Sequence, residues 1–293
     1  MDRTTAVAGL IACLMLSGCS NADRAIRVGS KNFTEQVVLG EIVAQHLEHK
    51  LHWRVERSLN LGGTLLAQQA LVTGEIDLYP EYTGTALTAI LKESPATMDT
   101  NAVLGRVRSE YQQRFKIIWL DPLGIDNGFA MVVAGPEARR RHMETLSDAA
   151  GDNKSWTLGA GYEFEQRPDG LAALKSVYHL RFLSAPRSMD LGLLYQALEH
   201  QQVDMIAANA TDGLLSKLDL KVLTDDRHAF PPYQASIAVR EDSLRRVPGL
   251  KSALLELSGR FTNQKMQALN YQVDGEHRAV SQVAAEFLKS QGM

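Results

Sequence analysis

The chain contains a faint copy of itself. Val28-Gly29-Ser30-Lys31-Asn32-Phe33-Thr34-Glu35-Gln36 aligns with Leu158-Gly159-Ala160-Gly161-Tyr162-Glu163-Phe164-Glu165-Gln166. Farther on, Gln69-Ala70-Leu71 followed by Glu75-Ile76-Asp77 aligns with Gln196-Ala197-Leu198 followed by Gln202-Val203-Asp204, at nearly the same offset. Two echoes in one order predict two similar units, in each of which a strand ends in a glycine-containing turn that opens a helix. Open α/β sheets bind ligands outside the carboxyl ends of their strands. Two such lobes facing one another leave a cleft, a preferred place for a small molecule.

Local patterns agree. Ile26–Val28 reads as a strand, Phe33–His49 as a helix with apolar residues at 37, 38, 42, 43 and 47, Trp53–Leu59 as a strand, Thr64–Val72 as a helix and Ile76–Tyr79 as a strand. This alternation predicts an α/β fold with mostly parallel sheets. After Phe230 one strand, Gln234–Val239, precedes helices near 248–258, 262–271 and 276–290. With 293 residues and 45% hydrophobic content, there is material for two cores.

The first residues read as export machinery. Ala6–Leu16 is too short to span a bilayer, and it runs into Leu16-Ser17-Gly18-Cys19, which looks like a bacterial lipobox. Residues 1–18 are therefore expected to be a signal peptide, Cys19 the lipidated residue and 19–25 a tether to the extracytoplasmic face of the membrane. Cys13 would leave with the signal, so Cys19 has no disulfide partner. No later apolar stretch approaches the roughly 18 residues of a spanning helix.

A net charge of −3 with 22% charged residues gives no footprint for nucleic acid. No G-x-S-x-G elbow, H-E-x-x-H pair or phosphate loop is present, so no enzyme and no cofactor are expected. His46, His49 and His52 have a spacing that could gather a metal, but Glu48-His49-Lys50-Leu51-His52 reads as a solvated helix end, and no metal is expected. Arg139-Arg140-Arg141-His142 reads as a solvated face, and Tyr79, Tyr111, Trp119 and Trp156 as core.

Four motifs carry a family resemblance: Gly29-Ser30-Lys31-Asn32-Phe33-Thr34-Glu35-Gln36, Asp77-Leu78-Tyr79-Pro80-Glu81-Tyr82-Thr83-Gly84-Thr85, Thr211-Asp212-Gly213 and Phe230-Pro231-Pro232-Tyr233. In this order the chain resembles the osmoprotectant (glycine betaine, choline, carnitine) binding proteins of ABC importers. The resemblance implies a two-lobed type II periplasmic-binding-protein fold with a ligand cleft between the lobes. Residues 26–126 and a returning segment, 230–293, would make lobe 1, and 127–229 lobe 2. It also implies a monomeric receptor that hands its ligand to an ABC permease driven by a separate ATPase. The alternatives are a receptor of the same fold for another polar or amino-acid-like solute, or a metal-binding receptor.

A quaternary ammonium has no N–H, so aromatic faces must hold it; each cation–π contact contributes roughly 0.5–2 kcal/mol. The resemblance puts Tyr82, Phe129 and Tyr233 in that cage, with Phe129 where the family usually has tyrosine. Arg167 matches the anion-binding arginine, although Asp169 nearby offers it a local partner. Lys31 and Thr85 match polar contacts. Asn209 falls where the family commonly has another cage tyrosine, which points away from simple glycine betaine. By the echo, Tyr82 follows Asp77 as Asn209 follows Asp204, one residue per lobe. The segments 125–129 and 227–233 would be the hinge, closing when ligand touches both lobes.

Overall fold

The computed structural model describes residues 25–94 and 99–293; the segment 1–24, with Cys19 and the signal peptide read from the sequence, lies outside the described residues. Ten strands occur among them: β1 (Ile26–Gly29), β2 (Val55–Ser58), β3 (Leu78–Tyr82), β4 (Ile117–Trp119), β5 (Phe129–Ala134), β6 (Leu158–Ala160), β7 (Arg187–Ser188), β8 (Met205–Asn209), β9 (Leu220–Leu223) and β10 (Ala235–Arg240). They form two sheets, ordered β2-β1-β3-β10-β4 and β7-β6-β8-β5-β9. In each sheet a single strand, β10 or β5, runs against both of its neighbours. Those two strands continue the two crossovers between sheets, so the chain enters each of them reversed.

Both sheets are covered on both faces, and successive residues go to opposite cores as the pleat requires. Leu78 and Val239 face the core under helix α1 (Thr34–Leu51), while Tyr79 and Ala238 face the core under helix α2 (Thr64–Thr73) and the helix Thr100–Phe115. Tyr79, Tyr111, Trp119 and Trp156 are all buried core residues. The helices Leu250–Leu255, Asn263–Asp274 and Val280–Ser290 pack on α1, near the spans read from the sequence. β3 runs to Tyr82 rather than ending at Tyr79, because Pro80 and Tyr82 pair with Ile237 and Ala235 of β10. That pairing is non-local and carries Tyr82 to the strand's carboxyl end.

The echo is a structural repeat. Asp77 Oδ2 accepts the Arg27 N–H at 2.7 Å, and Asp204 Oδ2 accepts the Thr157 N–H at 2.9 Å, one residue before the start of β6. Ahead of each aspartate, one alanine carbonyl closes the preceding helix: Ala70 O accepts from Glu75 and Ile76, and Ala197 O from Gln202 and Val203. Tyr82 is the last residue of β3 and Asn209 the last of β8.

The two crossovers are zipped together. Asp126 bridges Gln234, Asn127 N–H donates to Tyr233 O at 3.1 Å, and Ala235 N–H donates to Ile125 O at 2.9 Å.

Candidate ligand-binding site

One cavity of about 1150 Å³ is lined by all seven residues singled out in the sequence: Lys31, Tyr82, Thr85, Phe129, Arg167, Asn209 and Tyr233. They arrive from strand ends, turns and a crossover of both sheets. Phe129 opens β5 directly opposite Asn209 in β8. Thr85 is buried in the turn after β3.

Tyr233 follows Pro231 and Pro232 out of the second crossover and is buried. Its ring lies between two glycines: a Cβ on Gly84 would meet the ring at 2.7 Å, and one on Gly128 at 3.0 Å. These close approaches explain the glycines in Tyr82-Thr83-Gly84 and Asn127-Gly128. Phe129 packs edge-on to Tyr233, Phe230 and Phe164, with centroids 5.7, 5.7 and 4.9 Å away. Phe33 lies beside Tyr82 at 6.3 Å and also lines the cavity.

Both candidate cations are already partnered. Lys31 Nζ lies 2.5 Å from Glu81 Oε1 and 3.1 Å from Thr64 Oγ1, and 5.1 Å from the centre of the Tyr82 ring. Arg167 precedes Pro168, which disfavours helical backbone at Arg167, so the helix Tyr162–Gln166 stops and Arg167 is extended. Its Nε and Nη2 donate to Asp169 at 3.0 and 2.5 Å, and its guanidinium carbon sits 4.9 Å from the Phe129 ring and 5.7 Å from Tyr233. The local partner offered by the sequence is thus taken, while the guanidinium still lines the cavity.

Two carboxylates stand behind the tyrosines. Tyr82 Oη donates to Glu35 Oε1 at 2.6 Å, and Tyr233 Oη to Asp169 Oδ2 at 2.6 Å. Glu35 also accepts from Asn127 Nδ2 at 2.9 Å and from the Thr211 hydroxyl, so it joins α1, a crossover and the segment after β8. Burial pushes the Glu35 pKa up, and these three donors oppose that. Gln36 ties the Lys31 turn to β3, accepting from Lys31 N–H and donating to Pro80 O.

Glu35, Gln36, Glu81, Asn127 and Thr211 were not assigned roles in the sequence, although four of them sit inside the motifs and Asn127 adjoins Gly128-Phe129. The signal was there as motif membership; which motif meets which needs the fold. Asn209 lies partly buried, its Nδ2 donating weakly to Asp212 Oδ1 at 3.3 Å; its backbone carbonyl accepts the Asp212 N–H at 3.0 Å, while among the described residues no hydrogen bond to its side-chain Oδ1 is seen.

The histidines do not converge. His46 is buried, with Nε2 2.9 Å from Ala253 O, and burial lowers its pKa, while His49 and His52 are exposed. Among the described residues no group of His, Cys, Asp and Glu could hold a metal ion. No helix among them is long and apolar enough to cross a membrane.

Residues 24–290 match the family described as the substrate binding domain of ABC-type glycine betaine transport systems. The chain belongs to that family. The carnitine transport binding protein OpuCC of Listeria monocytogenes serotype 1/2a (strain 10403S) is 33% identical over 288 residues, covering 96% of this chain and 93% of that protein. The ergothioneine transport permease/ergothioneine binding protein EgtU of Helicobacter pylori (strain G27) is 33% identical over 272 residues. That match covers 92% of this chain but 48% of EgtU, so the chain spans about half the length of that relative. A crystal structure of a glycine betaine/carnitine/choline ABC transporter superposes with a TM-score of 0.76 at 32% identity, covering 91% of this chain and 98% of that one. The fold is that of the type II periplasmic binding proteins, and the chain is the substrate-binding component of an ABC importer, which works outside the cytoplasm, rather than an enzyme.

Proposed function

We propose that this protein captures a quaternary-ammonium solute bulkier than glycine betaine and delivers it to an ABC permease. The lobes would be residues 26–126 with 230–293, and 127–229. The observation that carries the reading is that Tyr82, Phe129 and Tyr233 line one cavity whose two inward cations, Lys31 and Arg167, are already paired with carboxylates. Lys31 and Arg167 balance Glu81 and Asp169, and of the other charged lining residues Glu163, held below the usual carboxylate range, and Asp190 outnumber Lys92, which leaves the surroundings in negative surplus. A cation is favoured there, and three ring faces are the means to hold one without N–H donors.

Size and polarity support the bulkier ligand. A cavity of about 1150 Å³ exceeds the roughly 300–1,000 Å³ typical of drug-sized ligands. Its exposed apolar lining, Leu65, Leu66, Tyr162 and Leu193, offers contact area that glycine betaine cannot use. The Asn209 side-chain Oδ1 can accept from a ligand donor: the hydroxyl of carnitine or the ring N–H of ergothioneine, the solutes named for OpuCC and EgtU.

Calorimetric titration with glycine betaine, choline, carnitine and ergothioneine tests this. Carnitine or ergothioneine should bind tightest; binding of an amino acid without any quaternary ammonium would sink the reading. The lipid anchor on Cys19 is a separate proposal supported by Leu16-Ser17-Gly18-Cys19. Cys19→Ala should release the protein from the membrane fraction or leave it unprocessed, and wild-type protein found wholly soluble in the periplasm or medium would exclude the anchor.

A further inference from the structure

Two of the three cage rings share an arrangement that packing alone does not require. Each buried tyrosine directs its hydroxyl at a buried carboxylate, Tyr82 at Glu35 and Tyr233 at Asp169, both at 2.6 Å. Burying a carboxylate is costly unless it is fully hydrogen-bonded, and a tyrosine hydroxyl could have met a backbone carbonyl instead. We propose that Glu35 and Asp169 tune the cage: by accepting the phenolic hydrogen, each raises electron density on the ring that an ammonium would meet, so the site selects for charge as well as shape. The inference rests on the cage reading above.

The physical basis is the polarity of the ring face. Cation–π attraction depends on the negative face of the aromatic quadrupole. A charge-assisted hydrogen bond from the phenol to a carboxylate is short and strong, and hydrogen bonds in a low-dielectric interior polarise one another. Negative charge pushed toward the phenolic oxygen spreads into the ring. Burial, followed by the neighbouring carboxylate, raises the pKa of both tyrosines, so each remains an O–H donor. Phe129 has no hydroxyl and supplies shape without this effect.

Glu35 is the better test of the two. Asn127 Oδ1 accepts the Thr211 N–H at 3.2 Å, which orients its Nδ2 to donate to Glu35, and the Tyr82 and Thr211 hydroxyls complete the set. Glu35→Gln keeps the length, keeps an acceptor for Tyr82 and Asn127, and can donate to the Thr211 hydroxyl; it removes the charge. Asp169→Asn would instead oppose an amide to the Arg167 donors and confuse two effects.

The experiment is calorimetric titration of choline, glycine betaine and carnitine, each beside its carbon isostere, in which a quaternary carbon replaces the ammonium nitrogen. Glu35→Gln should weaken the ammonium compounds roughly three- to tenfold while leaving the isosteres unchanged. Tyr82→Phe should lose the same preference for charge, and Glu35→Gln should add nothing to it in the double variant. Equal losses for ammonium compounds and isosteres would reduce Glu35 to a packing role and overturn the proposal. So would a Glu35→Gln effect that persists undiminished beside Tyr82→Phe, since the carboxylate would then act directly rather than through the hydroxyl. Should Glu35→Gln fail to fold, Tyr82→Phe alone decides, because it retains the ring and removes only the link. If the unaltered protein binds none of the ammonium compounds, the cage reading falls and takes the proposal with it; binding with an unchanged preference in the variants overturns the proposal alone.

Discussion

Glu163 reaches across the cleft and caps a helix of the opposite lobe: its carboxylate accepts the Thr64 N–H at 2.5 Å and the Thr64 hydroxyl at 2.9 Å. Thr64 is the first residue of α2, whose N-cap, Gly63, has no side chain with which to satisfy that helix end. The contact ties the unit built on the first sheet to the unit built on the second.

Glu163→Ala should therefore favour the open form. A missing cap costs about 1 kcal/mol, roughly a fivefold change in the closed-to-open ratio. Burial pushes the Glu163 pKa up from 4.5, but Lys31 and the Thr64 N–H outweigh burial and leave it lowered. The contribution is present above pH 4.5 and lost as pH falls below it. Small-angle scattering of the ligand-free protein checks both points; a radius of gyration identical in variant and parent across that range would exclude the latch.

Arg167 and Asp169 make a second prediction. Both are mostly buried, and Arg167→Ala leaves Asp169 with the Tyr233 hydroxyl and no counter-charge. Breaking a buried pair from one side costs about 3–5 kcal/mol. Denaturant melts without ligand should show that loss, and adding Asp169→Asn should recover part of it. An unchanged midpoint for Arg167→Ala would mean that the arginine is not holding the carboxylate.

Much of this was legible in the sequence. Asp77 and Asp204 echoed because each accepts a backbone N–H at or just before the strand that opens its repeat, β1 or β6, and local chemistry of that kind recurs wherever the repeat recurs. The cavity-lining residues were legible through motifs at strand ends. What stayed hidden is long-range pairing: Glu35 with Thr211, Glu163 with Thr64, and Tyr233 with two glycines from separate segments. Each joins residues distant in the chain, and nothing in the local pattern of either partner encodes the other. His46 was hidden for the same reason: its helix end is solvated, but the His46 side points at the segment around Ala253.

Asp212 gives a pH signature. Burial pushes its carboxyl up to about 6, against the pull of Asn209 and the Tyr195 hydroxyl. The folded protein thus holds this proton more tightly than the unfolded chain, for which 3.8 is the ordinary value. Its contribution is largest at acidic pH and falls as pH rises from 3.8 to about 6, at about 1.4 kcal/mol per unit of displacement. Compared with Asp212→Asn, the parent should lose stability across that window and run parallel above it. Parallel melts throughout, or a gain with rising pH, would contradict the burial argument.

The last prediction concerns the residue that departs from the cage. Asn209 ends β8 beside Phe129, with its backbone N–H and side-chain amide both turned to Asp212. Asn209→Tyr would place a further ring next to Phe129 and remove a polar acceptor. If the native ligand is a bulkier betaine that donates to Asn209, the variant should bind it far more weakly, through lost space and an unmatched polar group. Glycine betaine needs neither the space nor the acceptor, and it should gain roughly 0.5–2 kcal/mol, the worth of one more cation–π contact. The two ligands should move in opposite directions in one calorimetric comparison. A gain for both would mean that Asn209 merely leaves the cage incomplete, and no change for either would remove Asn209 from the binding surface.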